Sequence, residues 1–151
     1  MQVRMKQPVF VIPEAMTALQ TLSKATQDRG VPATTLALVH MRASQINGCA
    51  VCLELHTRSE LFAKDTDARN LTLAAWRDAP FFTDAERAAL ALTEAVTRLA
   101  DRADPVPDDV WTEAARHYDE NALAAMLISI SAVNVWNRLN VATRQIAGKK
   151  W

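Results

Sequence analysis

The sequence predicts an all-α protein, a single domain of about seven helices. Half of its 151 residues are hydrophobic and only three are glycine, and it is rich in Ala and Leu, which are strong helix formers. Apolar residues recur at helical spacing, and no segment shows the alternation of a strand or a hairpin signal. The length suits one domain with a sizeable core.

The N-terminal part predicts an arm and two helices. Residues 1–12 are expected to form an extended arm, lying across its own domain or swapped onto a neighbouring subunit, ahead of a helical domain over residues 13–151. Pro13 suits the first turn of a helix, and Gly30 ends that helix. Pro32 opens the second helix in the same way.

The middle of the chain predicts two further helices. The second helix ends where Asn47-Gly48 breaks the pattern. The third is expected from residue 49 to about 64 and the fourth over 68–76. The core candidates on the third helix are Leu53, Leu61 and Phe62.

Three helices are predicted in the C-terminal part. Thr83 and Glu86 form a capping box, in which each side chain satisfies a first-turn amide, and the helix it opens ends near residue 101. Asp108 is expected to cap a short helix that reaches residue 118. The last helix, over about 121–146, is apolar nearly all round in its first half and is therefore predicted to be central and buried.

Composition excludes several classes of function. Lys plus Arg and Asp plus Glu each number 17, so the chain has no basic stripe for nucleic acid or for an anionic membrane. No apolar run fits a signal peptide, and the most apolar stretch, 122–136, is too short to span a bilayer. We therefore expect a cytoplasmic protein, in which two nearby cysteines favour catalysis or metal binding over a structural cross-link.

The chemistry is concentrated in the segment NGCAVCLELH, residues 47–56, which holds both cysteines. On a helix, Cys49, Cys52 and His56 share one arc of the surface. A helix N-terminus favours the thiolate that attacks peroxides and disulfides, and His56 can take its proton. A cysteine oxidised to a sulfenic acid can then condense with the second cysteine.

Other interpretations of this segment stay open. A thioredoxin-like motif is disfavoured because no βαβ pattern surrounds it. A zinc site needs a fourth ligand, which His40 or His117 would have to supply. The simplest alternative is two buried cysteines beside a solvated histidine.

Four motifs carry a resemblance to a known family. They are RASQINGCxxCxxxHT at 42–57, LxxWR at 73–77, FxxxERAAL with TEA at 82–95, and NxWNR at 134–138. Together they resemble the alkylhydroperoxidase D-like (AhpD-like) branch of the carboxymuconolactone decarboxylase family, from about residue 30 onward. The resemblance implies an all-helical fold, usually oligomeric as a trimer or hexamer, that reduces hydroperoxides without a metal or other cofactor and is recycled by a dithiol donor.

The resemblance also implies roles for the site residues. Cys52 would be the peroxidatic cysteine, Cys49 the resolving one, and His56 part of the proton relay. The family usually has a glutamate twelve positions before the first cysteine, where this chain has Ala37. His40, one turn beyond Ala37, and Glu60, one turn beyond His56, are candidate relay residues. We hypothesise that Glu60 replaces the missing carboxylate; the alternative is a solvated glutamate.

The sequence therefore predicts a thiol-dependent alkyl hydroperoxide reductase. Its partners would be a hydroperoxide substrate, a protein or small-molecule dithiol reductant, and further copies of the chain. The alternative is a non-catalytic oligomeric module that senses redox state or binds zinc. The segment 136–138 is predicted to line the site or a contact between subunits. In the simplest interpretation Trp136 is a core residue, with Asn137 and Arg138 bonding helix ends or acidic neighbours.

Overall fold

The computed structural model describes residues 2–59 and 67–149, and within these ranges it is all-helical, as predicted. Across these described residues it has eight α-helices and one 3₁₀ turn, where the sequence predicts about seven helices. They are α1 Pro8–Val11, α2 Pro13–Ala25, α3 Ala33–Asn47, α4 Ala50–Thr57, α5 Asp67–Thr72, the 3₁₀ turn Leu73–Ala75, α6 Asp84–Thr97, α7 Asp108–His117 and α8 Glu120–Thr143.

The core lies between α3, α6 and α8. Val39 of α3, Leu92 of α6, and Met126 and Ile130 of α8 are fully buried in one cluster. The last helix is thus central, as its apolar sequence predicts. By length and composition α8 could cross a membrane, but more than half of its most apolar window is buried inside this protein, as in the core helix of a soluble protein.

The N-terminal arm differs from the predicted extended segment, because residues 8–11 form a helical turn. The Gln7 side chain caps this turn by accepting a hydrogen bond from the Val9 N–H at 2.7 Å. Arg4 holds the arm on its own α8, donating from its backbone N–H to the Thr143 carbonyl and from its side chain to the Ala142 carbonyl, both at 3.0 Å. These carbonyls belong to the last turn of α8, where no intrahelical donor remains.

Helix α4 is shorter at both ends than predicted. Cys49 is its N-cap rather than its first helical residue, with φ −87° and ψ 89°. At the other end, the Arg58 and Ser59 amides bond to carbonyls only three residues back, which ends the α-helix at Thr57. Leu53 is partly buried against the core, whereas Leu61, Phe62 and the predicted helix end near residue 64 lie outside the described residues.

The remaining helices follow the predicted order with shifted ends. The capping box of Thr83 and Glu86 is present as predicted. Helix α6 ends at Thr97 rather than near residue 101, and the N-cap of α7 is Pro107, not Asp108. The segment predicted as one short helix over 68–76 is α5 followed by the 3₁₀ turn.

One carboxylate joins α3, α6 and the 3₁₀ turn region. Glu94 accepts hydrogen bonds from Arg42 at 2.7 Å, Trp76 at 2.9 Å, Arg77 at 3.0 Å and Arg98 at 3.1 Å. Burial raises the pKa of Glu94, but these bonds outweigh it and bring the pKa down to about 2. The cluster fixes the end of α3 that leads into the cysteine segment.

Candidate redox site

The two cysteines are joined in a disulfide at the N-terminus of α4. Their Cα atoms are 5.3 Å apart, and the residues are only 1% and 5% exposed for Cys49 and Cys52. The Cys49 Sγ accepts a hydrogen bond from the Cys52 N–H at 3.3 Å, in the position of an N-cap side chain. The Cys49 sulfur therefore lies at the helix N-terminus and accepts one of its first-turn amides, an environment that favours thiolate over thiol once the pair is reduced.

The turn before the cysteines is fixed by glycine and by asparagines. Gly48 ends α3 with φ 65°, the left-handed region that glycine occupies without strain. The Asn47 amide donates to the side-chain oxygens of Asn134 and Asn137 of α8, at 2.9 and 2.8 Å. Asn137, fully buried, donates in turn to Ser44. Asn137 therefore bonds the end of a helix, as the sequence analysis proposed.

Two histidines meet beside Cys52. The ring centroids of His40, on α3, and His56, on α4, are 5.5 Å apart. The Nε2 atom of His40 is 2.7 Å from the Ser129 hydroxyl of α8. Burial, and secondarily the charge of His56, lowers the pKa of His40 to about 4, and burial also lowers the pKa of His56. Both imidazoles are therefore neutral at about pH 7 and able to accept a proton.

A cavity of about 310 Å³ brings Cys52 together with both histidines. Cys49 does not line it; that residue lines a separate cavity of about 410 Å³ with Gly48, Arg144 and others. Cys52 is thus the sulfur that faces the histidines. The other residues around the histidine cavity are Ser23, Leu55, Ala132, Val133, Trp136 and Asn140. Trp136 is half-buried in its wall, so it lines the site, as one of its predictions has it, rather than the core.

Two further positions were linked to the proton relay, and the structure describes Ala37 but not Glu60. A neighbouring cavity of about 360 Å³ is lined by Ala37 and both histidines, so the missing glutamate leaves space at this point. Asp28 lines the same cavity and is a carboxylate that the sequence analysis did not single out. Glu60 lies outside the described residues, and its role stays a prediction.

The sequence analysis missed two amides that reach the disulfide from far along the chain. Asn140 of α8 donates from Nδ2 to the Cys52 Sγ at 3.4 Å. Its Oδ1 accepts a hydrogen bond from Gln7 at 3.3 Å. These residues are 88 and 133 positions from their partners, and no local pattern marks either one.

The candidate zinc ligands do not gather into a site in the structure. Within residues 2–59 and 67–149, no three His, Cys, Asp or Glu side chains form a group that could hold a metal ion. His117, on α7, pairs with Glu113, and His40 pairs with Ser129.

The fold and the site define a class: a helical protein with a buried, disulfide-bonded cysteine pair beside two neutral histidines. The sequence model of the carboxymuconolactone decarboxylase family matches residues 13–95. The chain therefore belongs to this family, which agrees with the resemblance found in its motifs.

Several known proteins are similar over much of the chain. An uncharacterized protein of Bacillus subtilis (strain 168), YdfG, is 33% identical over 140 residues, covering 93% of this chain and 94% of its own. YnjA of Escherichia coli (strain K12), also uncharacterized, is 32% identical over 106 residues, or 70% of this chain and 57% of its own.

Solved structures share the fold. A crystal structure from Agrobacterium tumefaciens, described as a protein of unknown function and a candidate antioxidant defence protein AhpD, has a TM-score of 0.88 at 29% identity, covering 99% of this chain and 100% of its own. The debrominase Bmp8 has a TM-score of 0.78 at 21% identity, covering 92% of this chain and 74% of its own. At that identity the likeness to Bmp8 concerns the fold alone.

Proposed function

We propose that this protein is a thiol-dependent alkyl hydroperoxide reductase. The observation that carries the proposal is the cavity in which Cys52, disulfide-bonded to Cys49, faces the neutral His40 and His56. In this assignment Cys52 attacks, Cys49 resolves, and His56 with His40 manages the proton. The similarity to the Agrobacterium AhpD candidate supports it.

The reaction balances with these groups and one reductant. A histidine takes the Cys52 thiol proton, and the thiolate sulfur attacks the terminal oxygen of the hydroperoxide. The O–O bond breaks, Cys52 becomes a sulfenic acid, and the alkoxide takes the proton from the imidazolium and leaves as an alcohol. The Cys49 thiol then displaces water from the sulfenic acid to form the disulfide. A dithiol reductant restores both thiols and becomes a disulfide itself.

The proposal includes the setting of the reaction. Repeated reduction of the pair needs a reducing compartment, which is the cytoplasm of the sequence prediction. No cofactor takes part in the steps above. We also propose a homo-oligomer, a trimer or hexamer, and a relay completed by Glu60; a Glu60→Gln variant with an unchanged rate and pH profile would remove Glu60 from it.

The test is the intact mass of the reduced, chelator-treated protein at short times after one equivalent of an organic hydroperoxide. We expect loss of two hydrogens in the parent, no change in Cys52→Ser, and the gain of one oxygen in Cys49→Ser, where the sulfenic acid has no partner. Unchanged mass in the parent, or slow gain of oxygens, would refute the proposal. The non-catalytic alternative would then lead, as a zinc-binding module if the reduced protein binds zinc with unreactive thiols.

A second electrophile tests the substrate class. Because a debrominase shares the fold, a brominated pyrrole is the comparison in the same mass assay. Disulfide formation with the bromopyrrole but not with the hydroperoxide would keep the thiol chemistry and reassign the substrate.

A further inference from the structure

Three side chains form a hydrogen-bonded line that ends on the Cys52 sulfur. Gln7 of the arm and Asn140 of α8 are only 4% and 6% exposed. The Val9 N–H donates to Gln7 Oε1, Gln7 Nε2 donates to Asn140 Oδ1, and Asn140 Nδ2 donates to Cys52 Sγ. The line therefore connects the N-terminal arm with the disulfide through α8.

The direction of every bond in this line follows from its first member. A backbone N–H can only donate, so the oxygen of Gln7 must face Val9 and its NH₂ group must face Asn140. Asn140 must then turn its oxygen to Gln7 and its NH₂ group to the sulfur. An asparagine amide could otherwise present either end to Cys52. Here the backbone of α1 decides that it presents the donor.

We propose that Asn140 is a catalytic residue that stabilises the Cys52 thiolate through its side-chain N–H, and that Gln7 is a positioning residue that locks this amide in its donating orientation. The inference rests on the proposed function in one respect, the assignment of Cys52 as the attacking cysteine. An N–H donor favours the thiolate over the thiol, because hydrogen bonds to a charged acceptor are the stronger ones. The amide also stabilises Cys52 as a leaving group when a reductant attacks Cys49.

Few other groups near Cys52 carry charge. The titratable groups that line the Cys52 cavity are His40 of α3 and His56 of α4. Helices α2 and α8 contribute only Ser23, apolar side chains and Asn140 to this cavity. Arg144 lines the separate cavity of Cys49. Among the described residues, the Asn140 N–H is the side-chain donor in contact with the Cys52 sulfur, so its removal should register directly in the pKa of the thiol.

The test measures the Cys52 pKa without any peroxide. In a Cys49→Ser background Cys52 is the sole thiol, and the rate of alkylation by iodoacetamide against pH gives its pKa. Asn140→Leu should raise that pKa by about one unit or more, which slows alkylation about tenfold at a pH below it. If Asn140→Leu does not fold, the nearly isosteric Asn140→Asp takes its place, with a rise at least as large expected.

Gln7→Glu tests the orientation. The introduced carboxylate only accepts, so it should draw the Asn140 NH₂ group away from the sulfur and turn the amide oxygen toward it, raising the Cys52 pKa. Gln145→Glu is the matched control, because Gln145 also ties the arm to the end of α8, through the Met5 carbonyl, without bonding to the Asn140 side chain. It introduces the same charge and likewise removes an amide donor to the arm, without changing the bond to the Asn140 side chain.

A double-mutant cycle decides between outcomes. With Asn140 present, we expect Gln7→Glu to raise the Cys52 pKa more than Gln145→Glu does. With Asn140 already replaced by leucine, we expect Gln7→Glu to raise it no more than Gln145→Glu does. An unchanged pKa in Asn140→Leu would overturn the role of Asn140. Equal shifts from Gln7→Glu with and without Asn140 would overturn the role of Gln7. If these variants raise the Cys52 pKa as expected but the parent fails the peroxide assay, the inference is upheld and the proposed function is refuted.

Discussion

We expect His40 to lower the free energy of unfolding in mild acid, because its buried imidazole resists protonation in the folded protein. Its pKa is about 4 in the folded protein and 6.5 as the reference for the unfolded chain. Below 6.5 the unfolded state binds the proton and the folded state does not, so the free energy of unfolding falls with pH until about pH 4. Integrating this difference gives a loss of about 2 kcal/mol between about pH 8 and pH 5.

The measurement is urea unfolding of the oxidised protein at about pH 8 and pH 5, followed by circular dichroism. His40→Gln keeps a partner for Ser129 and should remove about 2 kcal/mol of the parent's loss between the two pH values. A smaller loss of unfolding free energy should remain in His40→Gln, because burial also lowers the pKa of His56 and its protonation therefore favours the unfolded state too. The carboxylates Glu86 and Glu94, whose pKa values are lowered, lose their contribution only as the pH falls below their unfolded value of 4.5.

His117→Gln is the matched control, since His117 lies on α7 and pairs with Glu113 rather than with the site; it should keep the parent's full loss. If His40→Gln also keeps it, His40 is not held neutral by burial. The argument that burial lowers the pKa of His40 would then be refuted.

Three further perturbations test other parts of the structure. Ala37→Glu places a carboxylate in the cavity shared with both histidines and should speed oxidation of the reduced protein by hydroperoxide several-fold; a rate no higher than in Thr34→Glu, at an exposed site on the same helix, would contradict this. Glu94→Gln leaves three arginines without their counter-charge and should lower the free energy of unfolding by about 3 kcal/mol in urea titrations, whereas Glu113→Gln, in a solvent-screened exposed pair, should leave the urea midpoint unchanged. Gly48→Ala meets no neighbour within 4 Å but requires a left-handed φ, so thermal unfolding should show a loss of about 1 kcal/mol; an unchanged midpoint would disprove the strain.

The local features of the fold were predictable because their causes are local. The capping box at Thr83, the proline at the start of α2 and the Asn47-Gly48 stop all act within a few residues, and each is present in the structure. The predicted start of α4 was wrong for a related reason. Helical spacing cannot tell an N-cap from the first residue of a helix, so it placed Cys49 one position too far inside.

The parts of the site that sequence analysis missed depend on contacts between distant segments. Nothing near Gln7 or Asn140 in the sequence indicates that their amides meet, because that contact exists only once the arm lies on α8. The sequence left open whether Trp136 lies in the core or lines the site, and only the packing of α8 against the cysteine segment places it in the wall of the cavity. The pairing of His40 with His56 required the packing of α3 on α4.

The short spacing of the cysteine pair separates its redox state from the stability of the fold. The disulfide joins residues only three apart, so it closes a very small loop and removes little freedom from the unfolded chain. The loop-entropy relation gives about 2 kcal/mol for such a loop, against nearly 5 kcal/mol for a loop of about 100 residues. The two larger core clusters and the Glu94 cluster contain no cysteine, and the cysteines pack with Val51 in a small cluster of their own. If the pair cycles as proposed, we expect the scaffold around the sulfurs to stay folded in both the dithiol and the disulfide form.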